Sequence, residues 1–225
     1  MMNSSVEKLK QLILNSGFLE TGHPVIDRIV IHGVAGCGKS TLTRELLKDE
    51  NFNIVNTLSD SCFNLEGQLI KKELTTLKNK INILDEYLSV DNHEGFQILL
   101  ADPFQYKKIP YLAHYIKKES HRLKKELIPI LTEIGIEVET REGGLSIIHG
   151  SAYDIEPKGK IISIEPEVIE YVSKHGLEVH HSTCVQGQEF ESVTFYHSKD
   201  LKNLERSELY VALTRVKNEL RILRL

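Results

Sequence analysis

With 225 residues the chain can form one large domain or two small ones, each with a full core. Its 28 Lys and Arg face 32 Asp and Glu, and dividing the chain after residue 115 gives 12 basic and 14 acidic residues, then 16 and 18. Neither half is a nucleic-acid module working through bulk charge, so any RNA or DNA must be held in a local groove.

Ser4-Ser-Val-Glu7 reads as a capping box opening a helix that runs to Asn15 and closes at Gly17, with Val6, Leu9, Leu12 and Ile13 as its apolar stripe. Arg28 to His32 reads as a short buried strand, and Thr41 to Lys48 as a helix with Leu42, Leu46 and Leu47 on one side. Between them, Gly33-Val-Ala-Gly36-Cys37-Gly38-Lys39-Ser40 fits G-x-x-x-x-G-K-[ST] at every fixed position. A strand, a glycine turn and a helix N-terminus make an anion site: backbone N–H groups and the helix dipole favour phosphate. Lys39 is expected to span the β- and γ-phosphates of a nucleoside triphosphate, ATP or another, and Ser40 to place its hydroxyl on Mg²⁺, with Thr41 completing the cradle.

Phe52 to Thr57 reads as a second strand, Asn64 to Lys78 as a helix, Lys80 to Leu84 as a third strand and Gly95 to Leu100 as a fourth. This alternation predicts a parallel βαβ sheet. Tyr111 to Leu131, with Lys117, Lys118, Arg122, Lys124 and Lys125, reads as a basic helix whose charges form a solvated face. Further strands are expected at 136–140, 145–148, 161–164, 177–179, 192–196 and 220–223, with helices at 165–175 and 207–214 and a loop over 150–159. The resulting fold class is α/β in two domains, residues 1–115 and 116–225.

Cys37, Cys62 and Cys184 lie far apart with no C-x-x-C, which suits a reducing compartment. No apolar run approaches the ~20 residues that cross a bilayer, and no basic-then-apolar leader opens the chain, so neither a membrane span nor a signal peptide is expected. His175, His180, His181 and Cys184 match no zinc spacing. A redox role for Cys37 is the less favoured reading of a small residue at a variable loop position.

Asp85-Glu86 ends a strand 46 residues after Lys39. Such a pair divides labour: the first carboxylate holds the Mg²⁺ shell, the second polarises the attacking water. Glu86 therefore favours hydrolysis over a small-molecule kinase, which needs no water base. In Ala101-Asp102-Pro-Phe-Gln105, Gln105 stands at a strand's C-terminal edge, where a γ-phosphate or attacking water can be sensed. Arg215, after the apolar run Leu209 to Leu213, is costly to bury without an anionic partner and fits the logic of an arginine finger. The aromatics Phe104, Tyr106, Tyr111 and Tyr115 are expected chiefly to pack at the domain boundary, base stacking being the lesser alternative.

In order, GVAGCGKS, LDEY, ADPFQ, Ser120-His-Arg122, CVQGQEFESVTFYHSKDL and LYVALTR resemble the viral superfamily 1 RNA helicases. Among them the chain is similar to the triple-gene-block movement proteins of potexvirus-, carlavirus- and allexivirus-like plant viruses, from about Leu12 to Leu225. The resemblance implies a P-loop NTPase of two RecA-like domains with parallel sheets and no large inserted subdomains. It places Arg122 with Arg215 as arginines reaching the nucleotide. Gln186, Gly187, Gln188 and Glu189 become the motif linking nucleotide to nucleic acid, and Thr57 the first RNA contact. It further implies single-stranded RNA as ligand, cell-to-cell movement of the viral genome, suppression of RNA silencing and self-association. Coat protein, membrane-bound movement proteins and host silencing components would be partners, in the host cytoplasm, plasmodesmata or inclusion bodies. A transport and silencing factor with incidental ATP turnover is the alternative. Two positions depart from the family pattern: Leu123 follows Arg122 where an aromatic is common, and Val216-Lys217 follow Arg215 where a histidine is.

Overall fold

The computed structural model describes residues 2–58, 62–63 and 69–225, and the chain divides into two compact units, Met1–Glu119 and Ser120–Leu225. The first unit is built on β1 (Leu19–Glu20), β2 (Ile29–Gly33), β3 (Phe52–Asn56), β4 (Ile81–Asp85), β5 (Ile98–Ala101) and β6 (Tyr115–Lys117). They form a six-stranded sheet in the order β1-β6-β2-β5-β4-β3, parallel except for β1 against β6. All five residues of β4 and all four of β5 are buried, as strands covered on both faces must be. One face packs Val30, Val55, Leu84, Tyr87, Leu88, Phe96, Leu99 and Ala101 into a single apolar cluster.

Helix α1 (Met2–Asn15) buries Leu9 and Ile13 completely, and α2 (Lys39–Leu47) buries Leu42, Leu46 and Leu47. Because α1 begins at Met2, Ser4 lies inside the helix and not at its cap; Gly17 closes it as expected, donating to Leu14 O at 2.9 Å. The helix expected over 64–78 does not form across residues 69–78, where Leu69–Ile70 pairs antiparallel with Cys62–Phe63 and Lys71 bridges to Val55. Residues 64–68 of that expectation lie outside the described residues.

Two buried amides cross the sheet: Asn53 Nδ2 donates to Asn82 Oδ1 at 2.9 Å, and Asn82 N donates to Gln97 Oε1 at 2.8 Å. Most buried polar groups find such a partner. Of the basic helix expected over 111–131 only the end forms, as a 3₁₀ turn at Lys125–Leu127 leading into a helix from Ile128; residues 111–124 are not helical. Tyr115 and Ile116 pair with Ile31 and His32 instead, since aromatic and β-branched residues suit a pleated, buried surface. The first unit therefore runs past 115 to Glu119. The connection from β5 to β6 carries only a 3₁₀ turn, Pro103–Gln105; Tyr106 packs on the apolar cluster, and Tyr111 stacks on Tyr87 with ring centres 5.6 Å apart. Tyr115 is buried and donates to Glu20 Oε1 at 3.1 Å, so these aromatics are engaged within the first unit.

The second unit holds β7 (Ser146–Ser151), β8 (Lys160–Ser163), β9 (Val179–His181), β10 (Phe190–His197) and β11 (Val216–Arg224), all parallel in the order β7-β11-β10-β8-β9. Of the strand expected over 136–140 only Glu139–Thr140 forms. Helix α3 (Ile128–Glu133) starts with Pro129 near its N-terminus, where a missing N–H costs nothing. Helix α4 (Pro166–Lys174) sets Val168 and Val172 against Ile161, Tyr196 and Leu223. Helix α5 (Arg206–Leu213) is buried over Leu209 to Leu213, which explains its uninterrupted apolar sequence.

Candidate nucleotide site and second-unit motifs

The glycine loop leaves β2 at Gly33 and enters α2 at Lys39. Gly38 caps the helix at φ 103°, ψ 16°, a left-handed conformation that other L residues resist, and Leu42 N donates back to its carbonyl at 3.0 Å. Gly36 also has positive φ. At Gly33 the reason is space: an added Cβ would collide with Cys37 Sγ. Ser40 and Thr41 are exposed on the first turn. Lys39 is buried at 8% exposure, its ammonium donating to Gly33 O at 2.8 Å and Val34 O at 3.4 Å. Burial opposes that charge, but Cys37 and the carboxylates of Asp102, Glu86 and Asp85 outweigh it and hold the pKa above the ordinary lysine value. Burial pushes the Cys37 thiol up, so it stays protonated and inert, against the redox reading.

Asp85, at the end of β4, is 2% exposed. Its Oδ2 accepts from Asn56 Nδ2 at 2.8 Å, whereas Oδ1 is buried with no hydrogen-bond partner among the described residues. An orphaned, buried carboxylate oxygen and, at the loop's helix start, an exposed Ser40 hydroxyl are oxygen donors of the kind a hard cation takes. Burial raises the Asp85 pKa, partly offset by Lys39 and the Asn56 amide. Burial likewise raises Glu86 to about 7; Lys39 opposes it, Asp85 and Asp102 add to it, and a hydrogen bond from Tyr106 opposes it. A carboxylate titrating near neutrality can accept a proton from water.

Glu86 is the one non-glycine residue with positive φ among the described residues, at φ 62°, ψ 44°. Its Oε2 accepts from Tyr106 Oη at 3.0 Å, and its carbonyl accepts from Thr57 Oγ1 at 3.1 Å. Asp102, wholly buried after β5, accepts from Phe104 N at 3.1 Å and from Gln105 Nε2 at 3.0 Å. The first unit thus gathers Lys39, Asp85, Glu86 and Asp102 into one electrostatic cluster with Gln105 tied to it. Three supporting residues are not assigned to this site from sequence, where Tyr106 reads only as a packing or stacking aromatic. Tyr106 directly follows the Gln105 motif, Asn56 lies opposite Asp85 in the β3–β4 register, and Ser89 lies in the turn after Glu86.

In the second unit, Arg122 Nη1 donates to Glu189 Oε1 at 2.5 Å, while its Nε is buried with no hydrogen-bond partner among the described residues. Gln186 is half-buried and Gly187, Gln188 and Glu189 are exposed, just after the 3₁₀ turn Ser182–Val185. Gln188 Nε2 donates to Cys184 O at 3.2 Å. Arg215 is 1% exposed; its Nε donates to Val211 O at 3.1 Å and its Nη2 to Thr214 Oγ1 at 3.0 Å. It is therefore a buried group of the second unit, bonded to the end of the preceding helix α5 and its cap Thr214.

A sequence profile for the viral superfamily 1 RNA helicase core domain matches residues 29–224. The chain is 34% identical to "Movement and silencing protein TGBp1" of Apple stem pitting virus (isolate PA66) over 96% of its length and 98% of the relative's. It is 33% identical to the protein of that name from Papaya mosaic potexvirus, covering 94% of this chain and 92% of the relative. Among solved structures, an arterivirus nonstructural protein 10 helicase in complex with DNA superposes with a TM-score of 0.55 at 16% identity, over 96% of this chain and 57% of that one. The PRRSV helicase gives 0.53 at 15% identity, over 96% and 50%. The chain thus spans about half of those helicases, and the likeness is one of fold. With the phosphate loop, the Asp-Glu pair and a match across nearly its whole length, the chain belongs to the viral superfamily 1 RNA helicase core family.

Proposed function

We propose that the protein is an RNA-stimulated nucleoside triphosphatase, acting on ATP, that moves along or remodels single-stranded RNA. The observation that carries the reading is the buried, unpartnered Asp85 Oδ1 beside a partly buried Glu86 whose pKa stands near 7, both facing the charge of Lys39. Lys39 and the backbone of Gly33 to Thr41 bind the triphosphate. Ser40 and Asp85 would hold Mg²⁺, which when bound neutralises phosphate charge. Glu86 takes a proton from the attacking water, Tyr106 orients its carboxylate, and Gln105 senses the γ-phosphate. Arg122 and Arg215 are assigned to the charge of the transition state, and Thr57 with Gln186, Gly187 and Gln188 to RNA. The two units are taken as RecA-like domains.

The test is phosphate release from ATP, with and without single-stranded RNA at fixed salt, because phosphate contacts are salt-sensitive. Lys39→Ala and Glu86→Gln should each abolish it; undiminished release in both would sink the reading.

The relatives' name, movement and silencing protein, supports a second layer. We infer that the protein supports cell-to-cell movement of a viral genome and suppresses host silencing. It would act in the host cytoplasm, with coat protein, membrane-bound movement proteins and silencing components as partners. Among the described residues no helix is long and apolar enough to cross a membrane. A Glu86→Gln variant that still supports movement would separate transport from turnover.

A further inference from the structure

We propose that the hydroxyls of Thr57 and Ser89 are a positioning pair that holds Glu86 in its left-handed conformation and so aims its carboxylate; this rests on the hydrolase reading above. Backbone torsions decide where a side chain leaves the chain, and Glu lacks the short polar side chain that makes this region tolerable for Asn or Asp. Such a conformation persists only where the surroundings over-determine it. Here the surroundings are specific. The Glu86 carbonyl accepts from Ser89 N at 3.0 Å and Ser89 Oγ at 2.8 Å, and lies 3.1 Å from Thr57 Oγ1. The two hydroxyl oxygens are 2.5 Å apart. Each carries one proton, so one proton bridges the pair and the other is given to the Glu86 carbonyl.

Ser89 belongs to the same turn as Glu86, and its bonds are local. Thr57 does not: it lies just past the end of β3, and its own N–H also donates to Asp85 O at 3.4 Å. Thr57 therefore spans the two peptide units that carry the metal-side and water-side carboxylates. On the far side, the Tyr106 hydroxyl meets Oε2. The backbone is gripped by the Thr57–Ser89 pair and the carboxylate by Tyr106, which leaves Glu86 no freedom to swing. Deleting the non-local hydroxyl lets the backbone relax, and the carboxylate leaves its enclosed, charge-crowded position for better solvation.

The experiment compares Thr57→Val, Ser89→Ala and the conservative Thr57→Ser with the unsubstituted protein in ATP turnover without RNA, so that a lost RNA contact does not enter. Thr57→Val and Ser89→Ala should lower kcat about 10- to 100-fold, the scale of a misplaced catalytic group, with KM for ATP changed by no more than about twofold. Thr57→Ser should restore most of the rate. In Thr57→Val the acidic limb of kcat/KM should also move to lower pH, a shift that loss of stability alone would not cause. Turnover and pH limb unchanged in Thr57→Val overturn the inference while leaving the hydrolase reading intact. No turnover in the unsubstituted protein overturns that reading first, and the inference with it. Should Thr57→Val fail to fold by thermal melting and fluorescent-nucleotide binding, Ser89→Ala decides: unchanged kcat overturns the pairing, and a reduced kcat with normal nucleotide affinity supports it.

Discussion

The Tyr106 hydroxyl donates to Glu86 Oε2 at 3.0 Å, across 20 residues of chain. The bond favours the charged carboxylate against burial, which acts the other way and takes the Glu86 pKa to about 7. The same proximity drives the Tyr106 phenol's own pKa well above its ordinary range, so it remains a donor throughout the working pH range.

Replacing Tyr106 with Phe removes that support, and the Glu86 pKa rises further. A water base works only when unprotonated, so the acidic limb of kcat/KM, which reports the free enzyme, should move upward from about 7 by roughly one pH unit. A pH–rate series over both proteins measures it; superimposable limbs would show that Tyr106 does not support the base.

Glu86 also makes stability pH-dependent. Its folded pKa of about 7 lies above the ordinary value of 4.5. At low pH it is protonated in both states. As pH rises through this window the unfolded chain gives up its proton first, so the contribution to stability present below 4.5 is lost by the time pH passes 7. Glu86→Gln, neutral at every pH, should lack this decline. Urea midpoints of the two proteins should therefore diverge with rising pH, the variant gaining relative stability.

The buried amide ladder is a stability element. Asn82 Oδ1 accepts from Asn53 Nδ2 and from Leu77 N at 2.8 Å, and its Nδ2 donates to Leu77 O at 3.2 Å. Asn82→Ala leaves these groups unpaired and should cost about 2–3 kcal/mol, read from urea unfolding. A change below the measurement error would mean water replaces the amide without loss.

Arg215 should carry structural weight whatever it does in turnover. Arg215→Ala leaves a cavity beside α5 and removes the bonds to Val211 O and Thr214 Oγ1. The expected loss is about 2–4 kcal/mol, seen as an earlier unfolding transition. Reduced turnover with unchanged stability would show that the arginine acts on the reaction alone.

Gly33→Ala should destabilise the loop through the collision with Cys37 Sγ, and Cys37→Ala in the same chain should recover much of the loss. A double variant no better than Gly33→Ala would place the constraint elsewhere.

The motif-bearing strands β2, β4 and β5 were legible because runs of Ile, Val and Leu end at glycine or acid, and periodicity reads such runs directly. The segments 64–78 and 111–131 misled, because mixed Leu and Lys match a helical stripe while their partners across the sheet lie far away in sequence. Tyr115 became a strand residue only because Ile31 was there to pair with. The same reason kept the site's supporting residues hidden. Lys39, Asp85 and Glu86 announce themselves by spacing, whereas Asn56, Ser89 and Tyr106 acquire meaning only once β3, β4 and the turn after β5 converge. The burial of Arg215 likewise depends on the tertiary surroundings that bury Leu209 to Leu213 of the preceding helix.

The two fixed glycines of the phosphate loop answer to different demands. At Gly33 the obstacle is a neighbour's sulfur, so the position is negotiable: a smaller partner makes room. At Gly38 an added Cβ meets nothing within 4 Å, and only the left-handed φ of 103° forbids it. There the requirement is one of chirality and not of volume, and no change in surrounding residues can relieve it. A mirror-image alanine introduced by chemical synthesis would satisfy Gly38, while every genetically encoded alternative would strain it.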